Sequence, residues 1–317
     1  MTTLTGGTRG SDLALWQTRH VSKALKEAIA AAGKGVAEVK EQIITTRGDV
    51  DMTERLVGKL EKGFFTAELE DALREKRIDF AVHSLKDLPT RMPPGLDVAA
   101  VLPRAAVNDL LLVRPQSFAP GEAFPVKPGG TVGASSLRRD ALLKRFAPKV
   151  KPVPLRGNVP TRVQRLREGK CDAILLAAAG LNRLGLDLSD LKVFKLDHRR
   201  WPTAPGQGAI GVQTREGQDP ARALCALLDH QPTRDATAWE RAFLRVLEGG
   251  CATPFGATVE DGVAYLGQAL PEGFRLKAVK LPPAKDDVAR EAFVRDVLPR
   301  LFDQDQDHAD RPLLHAV

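Results

Sequence analysis

Apolar positions along this chain change spacing from one stretch to the next, and the changes mark out elements. In "DLALWQTRHVSKALKEAIAAAG", Leu13, Trp16, His20, Val21, Leu25 and Ile29 recur at helical intervals, with Ser11 placed to cap the start and Gly33 to stop the end. "EVKEQIITT" has the composition of a strand, "FFTAELEDALREKR" that of an amphipathic helix, and "IDFAV" is a short buried strand running into "HSLKDLP". Further on, "DLLLV", "TVGAS" and "DAILLA" predict strands, while "SLRRDALLKRF" and "VPTRVQRLREG" predict helices. Helices set between short apolar strands imply an α/β fold with mostly parallel sheets. The Pro/Gly-rich "FAPGEAFPVKPGG" is an exposed loop and "WPTAPGQGAIGVQT" a glycine-bounded strand. Two helices follow, in "PARALCALLDH" and "TRDATAWERAFLRVLEGG", then short strands in "ATVEDGVAYLGQAL" and a helix near Val288 to Leu301. The tail "DQDQDHADRPLLHAV" is expected to fray, and no repeat of fixed period is found, only a broad likeness between two α/β halves.

Composition narrows the classes. The length of 317 residues suffices for two or three domains with their own cores, and 43% hydrophobic with 27% charged residues is an ordinary globular balance. No apolar run reaches the length of a membrane span, and the first residues lack the basic and apolar regions of a secretory signal, so no membrane association and a cytoplasmic location are expected. Three cysteines are too few for a disulfide framework. Cys171 and Cys225 lie in apolar patterns as core thiols, whereas Cys251, in "LEGGCATPFG", sits between a glycine pair and a proline turn. No Cys or His pair has metal-ligand spacing, so no metal is expected. A net charge of +7 calls for an anionic partner. Nucleic acid fits poorly with only 5% aromatic residues and no Lys/Arg tract, which leaves a small polyanion held in a cleft.

The basic residues gather where strands meet helices. In α/β sheets the carboxyl ends of strands face the ligand crevice, and Lys86 and Asp87 follow "IDFAV" at such an end. A carboxylate there can move a proton or stabilise a cation; the plain alternative is a surface ion pair on a turn. "TVGASSLRRD" brings Ser135, Ser136, Arg138 and Arg139 to a helix start, where hydroxyls, guanidiniums and free N–H groups make an anion site, although helix capping accounts equally for the serines. Adjacent arginines on a helix diverge by about 100°, so at least one of the pair is expected to turn away unless the helix end is distorted. "PVPLRGNVPTR" offers Arg156, Asn158 and Arg162, and "GTRGSD" offers Arg9 and Ser11; Arg47 and Lys62 add to the set. No G-x-S-x-G turn supports serine hydrolase chemistry, and "GQGAIG" runs into a strand instead of opening a helix, unlike a dinucleotide fingerprint.

Taken in order, "TRGSDLALWQ", "TTRGDV", "HSLKDLP", "SSLRRD", "LRGNVPTR", "DAILLAAAGLNRLGL", "PGQGAIGV" and "LEGGCATPFGA" resemble the hydroxymethylbilane synthases, or porphobilinogen deaminases, over about Thr8 to Ala257. The resemblance implies a transferase that condenses four porphobilinogen molecules head to tail, with loss of ammonia, onto a dipyrromethane cofactor held by a thioether at the position of Cys251. It implies Asp87 as the catalytic aspartate; should Asp87 prove only a turn residue, Asp49 or Asp109 would inherit the role. It implies cofactor carboxylates held by Lys86, Ser135, Ser136, Arg138 and Arg139, with Lys62 nearby, and substrate held by Arg9, Ser11, Arg156, Arg162 and Arg183. Each porphobilinogen carries two carboxylates, which explains the basic charge. Ala67 stands where the family often has lysine and Ala134 where threonine is common. The implied fold is α/β, with two periplasmic-binding-protein-like domains around a cleft (1–103 plus 200–218, and 104–199) and a small C-terminal α+β domain (219–317). A monomer is expected. A non-catalytic anion-binding protein of the same fold would need neither Asp87 nor Cys251.

Overall fold

Strand and helix alternate as the apolar spacing predicts. The computed structural model describes residues 2–35, 37–46, 66–217, 219–247 and 254–317; Arg47, Asp49, Lys62 and Cys251 lie outside the described residues. In chain order the elements are β1 (Thr2–Thr8), α1 (Asp12–Ala31), β2 (Ala37–Ile43), α2 (Ala67–Arg74), β3 (Phe80–Ser84), β4 (Leu96–Val101), β5 (Asp109–Val113), β6 (Thr131–Gly133), α3 (Leu137–Phe146), β7 (Lys151–Val153), α4 (Val159–Arg167), β8 (Ala173–Ala177), α5 (Ala178–Leu184), β9 (Lys192–Leu196) and β10 (Ile210–Arg215). They continue with α6 (Pro220–Cys225), α7 (Gln231–Val246), β11 (Phe255–Glu260), β12 (Val263–Leu270), β13 (Gly273–Lys280), α8 (Asp287–Leu301) and β14 (Leu314–Ala316).

The chain divides into two compact units. The first comprises residues 1–105 and 208–237, and its sheet has the order β2-β1-β3-β10-β4. β1 runs parallel to β2 and β3, while β10 lies antiparallel to both β3 and β4. Close packing explains the glycines of β1: a Cβ on Gly6 would stand 2.6 Å from the ring of Phe80 on the next strand. Val21, Leu25 and Ile29 of α1 cover this sheet with Phe80, Val82, Ile210 and Val212.

The second unit comprises residues 106–207 and 238–317, and its larger sheet has the order β14-β9-β5-β8-β6-β7. β6 is parallel to β7 and β8, while β5 is antiparallel to β8 and β9. Leaving β14 aside, the two sheets share one plan, β2-β1-β3-β10-β4 against β7-β6-β8-β5-β9, each with a single reversed strand next to one edge. The sheets are therefore mixed, a correction to the mostly parallel arrangement expected. The reversed strands, β5 and β10, are the first strands after the chain has passed from one unit to the other. The second unit also holds the antiparallel sheet β11-β12-β13, covered by α7 and α8 through Trp239, Phe243 and Val294. Phe274 and Leu276 of β13 join the core around the fully buried Trp201.

The tail does not fray. β14 pairs with β9, Leu314 opposite Leu196. Ahead of it, Arg145 Nη2 meets Asp305 at 2.7 Å, and Arg200 holds Asp307 through Nε and Nη2 at 2.8 and 2.9 Å. Acidic residues of the tail, Asp305 and Asp307, are its anchors. Among the described residues no helix is long and apolar enough to cross a membrane.

Candidate functional site

In the first unit the candidate residues follow the carboxyl ends of β1 and β3. Ser11 caps α1, its Oγ accepting from the backbone N–H of Ala14 at 3.4 Å. Half-buried Arg9 precedes it. β3 ends in a single 3₁₀ turn, Leu85–Asp87, whose alternation sets what faces water. Leu85 and Leu88 are buried against Val101 and Ala209, and the Leu85 N–H donates to Ala209 O at 3.0 Å. With those two anchored inward, Lys86 is half-buried and Asp87 exposed, a carboxylate on a fixed backbone. Just before the turn, His83 is buried. Burial lowers its pKa to about 4 and Arg9 adds to the drop, against a hydrogen bond with Gln213 that raises it. Such an imidazole is neutral at physiological pH.

In the second unit the candidates follow β6, β7 and β8. Ser136 is the N-cap residue of α3 but makes no side-chain cap bond, and the Ser135 hydroxyl donates to Leu155 O and accepts from Leu155 N at 3.3 Å. Capping therefore does not account for the serines; Ser135 ties the end of β6 to that of β7. Arg138 and Arg139 do not diverge as expected. Their side chains are long enough to cover the angular offset, and both reach the fully buried Asp109: Arg138 Nη2 at 2.9 Å, Arg139 Nε and Nη2 at 3.1 and 2.6 Å. Burial alone would push the Asp109 pKa up, but the two guanidiniums outweigh it and hold the carboxyl well below the usual range. That removes Asp109 as an alternative catalytic base, since it is buried, ionised and clamped.

The Arg156-Gly157-Asn158 turn is pinned from α4. Gly157 has φ +106, a left-handed backbone suited to glycine. Asn158 Oδ1 accepts from Thr161 N and Oγ1 at 2.9 and 2.6 Å, Arg162 Nε donates to Gly157 O at 2.7 Å, and Arg165 Nη1 donates to Arg156 O at 2.9 Å. Burial lowers the Arg162 pKa to about 10, and the charges of Arg139 and Arg165 add to the drop. Burial likewise lowers Arg183, in the last turn of α5, to about 10. Guanidiniums that are desolvated and repelled by their neighbours gain most from an incoming anion.

Sequence reasoning missed Arg165, His83 and the structural role of Asp109. The one legible signal was an aspartate heading the all-apolar strand "DLLLV", where burial demands a partner. Cys171 and Cys225 are buried core thiols as expected, with the Cys225 pKa pushed up to about 12 by burial. Among the described residues no cluster of His, Cys, Asp or Glu could hold a metal.

The family model described as "Porphobilinogen deaminase, dipyromethane cofactor binding domain" matches residues 4–223. A porphobilinogen deaminase of Cytophaga hutchinsonii is 42% identical over 263 residues, 82% of this chain and 80% of that protein. One of Roseiflexus sp. is 45% identical over 256 residues, 80% of each. Among solved structures, a Salmonella typhimurium periplasmic binding protein of high arginine specificity aligns with TM-score 0.39 and 12% identity, over 75% of this chain and 94% of that one. By the extent of the family match and the identity to these relatives, the chain belongs to the porphobilinogen deaminase family, transferases that build hydroxymethylbilane from porphobilinogen on a dipyrromethane cofactor.

Proposed function

We propose that this chain carries out the family's stepwise condensation of four porphobilinogen molecules with Asp87 as its catalytic carboxylate and Cys251 as the anchor of the primer. What supports the reading is the placement of the candidates: in each unit they follow the carboxyl ends of co-directional strands, Asp87 and Lys86 with Arg9 and Ser11 in the first, guanidiniums and hydroxyls in the second. The donor set fits a polycarboxylate. Arg162 and Arg183 are guanidiniums whose charge burial opposes, and Arg138 Nε is buried without a hydrogen-bond partner among the described residues.

When bound, the dipyrromethane supplies a terminal pyrrole whose free α-carbon receives the first substrate. Arg138, Arg139, Ser136 and Lys86, with Lys62, would hold its carboxylates by charge-assisted bonds, and Ser135 would join them by turning its hydroxyl away from Leu155 O. Arg9, Ser11, Arg156, Arg162 and Arg183 would orient the acetate and propionate of each incoming porphobilinogen. Asp87 would stand by the pyrrole nitrogen of a substrate that becomes cationic as ammonia leaves, where its negative charge would lower the energy of that cation more than that of the neutral ground state. The same carboxylate can take up the proton released when the new carbon–carbon bond restores the aromatic ring. His83, neutral and buried behind the turn, is not required to carry a proton. A monomeric, cytoplasmic enzyme acting on a small molecule completes the proposal.

Intact mass tests it. Protein incubated with porphobilinogen is expected to be heavier than its sequence by two porphobilinogen-derived pyrrole units, on the peptide containing Cys251. Turnover by a protein whose Cys251 stays unmodified would show the anchor to be elsewhere.

A further inference from the structure

One buried carboxylate gathers more donors than any step above uses. Asp109 accepts from Arg138 and Arg139 as described, and also from Gln207 Nε2 at 2.9 Å and Trp201 Nε1 at 3.1 Å. Arg138 Nη1 and Arg139 Nη1 donate besides to the neutral carbonyls of Pro202 and Leu175, each at 2.9 Å. The charges do not balance: one carboxylate faces two guanidiniums that are only 4% and 7% exposed. One arginine would suffice to pair that carboxylate, so the second buried guanidinium is left with its charge only partly compensated. The surplus positive charge lies in the first turn of α3, where the helix dipole adds to it, and it reaches Arg162 as repulsion.

We infer that Asp109 is a positioning residue for cofactor loading: it draws Arg138 and Arg139 onto one buried anchor and leaves their surplus positive charge for a carboxylate of the primer to neutralise. The inference rests on the reading that these two arginines meet the primer. Asp109 gives both guanidiniums a fixed position before the primer arrives, which reduces the ordering cost of binding. Without it, two like charges would share a buried site and separate.

The test compares Asp109→Asn with Gln207→Leu. The first keeps the size and one acceptor oxygen, for either Trp201 or Gln207, which reach different oxygens of Asp109, but removes the charge. The second loses a donor to the same carboxylate while keeping both arginines and their counter-charge. Apoprotein of each is incubated with porphobilinogen, and loading is read by intact mass, with circular dichroism and melting temperature alongside. Asp109→Asn is expected to load about tenfold less than wild type at a fixed time, the order of one lost charge-assisted contact. Gln207→Leu should load as wild type even if it melts lower. Wild-type loading by Asp109→Asn overturns the inference, and so does a Gln207→Leu that loads as poorly, because disturbed packing would then suffice. Should Asp109→Asn not fold, Asp109→Glu decides: its displaced carboxylate should load several-fold more slowly, and loading at the wild-type rate refutes the role. Arg139→Leu and Arg138→Leu separate the two levels. If Arg139→Leu and Arg138→Leu both load normally, the arginines do not meet the primer and the underlying reading falls with the inference; if they fail to load beside an Asp109→Asn that loads, only the role of Asp109 falls.

Discussion

Asp87 owes its usefulness to its neighbours. Leu85 and Leu88 bury themselves beneath the 3₁₀ turn and leave the carboxylate exposed on a backbone that cannot swing away. A fixed charge needs no reorganisation when a cation forms, which is where such groups gain most of their effect. Asp87→Asn keeps the shape and loses the charge, so turnover should fall on the order of 10²-fold or more, with the circular dichroism spectrum unchanged. Asp87→Glu retains the charge, displaced by about one methylene, and should keep part of the activity. The measurement is ammonia release and bilane formation from porphobilinogen. Near wild-type turnover by Asp87→Asn would reduce Asp87 to a turn residue, and Asp109, clamped in the core, could not take its place.

At the level of elements, α4 shows how local structure and binding are coupled. Its cap residue, Asn158, belongs to the same turn that presents Arg156, so a stability defect there should also be a binding defect. Asn158→Ala is expected to cost about 1 kcal/mol, roughly 2–4 °C in melting temperature. Asp286, which caps α8 by accepting from Ala289 N at 2.9 Å, provides the comparison. Asp286→Ala should cost a similar amount yet leave the KM for porphobilinogen unchanged, while Asn158→Ala raises it with little change in kcat. Equal KM values in the two variants would mean that the cap supports only the helix. The helices and the apolar strands β5 and β8 were legible in the sequence because spacing and burial are local properties, and so was the place of Lys86 and Asp87 just past a strand, since the apolar "IDFAV" runs into "HSLKDLP". The direction of β5 and β10 was not, because it depends on the route of the chain between units. Nor was the convergence of Arg138 and Arg139, which depends on a carboxylate about thirty residues away that only the tertiary fold brings beneath α3.

Across the second unit, the chain's last fifteen residues act as a strap. Asp305 and Asp307 bind Arg145 and Arg200, whose guanidiniums lie over the Phe146 ring at 5.1 and 5.4 Å from its centre, and β14 then covers the edge of β9. Burial raises the Asp307 pKa, but Arg200 and then Arg145 outweigh it, so the folded value lies below the unfolded one. The sign follows: this stabilisation is complete above the ordinary carboxylate range and is lost as pH falls through the lower, folded value. The pairs are partly exposed, so neutralising both in Asp305→Asn/Asp307→Asn should cost only about 1–2 kcal/mol, and less at high salt. Deleting residues 303–317 should cost more, because it also strips β14 and leaves β9 with an unpaired row of backbone donors and acceptors. The expected order of melting temperature at neutral pH is wild type, double substitution, truncation. The gap between wild type and double substitution should close as pH is lowered, while the truncated protein alone gains a tendency to self-associate in size-exclusion chromatography. A truncated protein that melts with the wild type and stays monodisperse would show that the strand and its ion pairs contribute nothing to the stability of the unit.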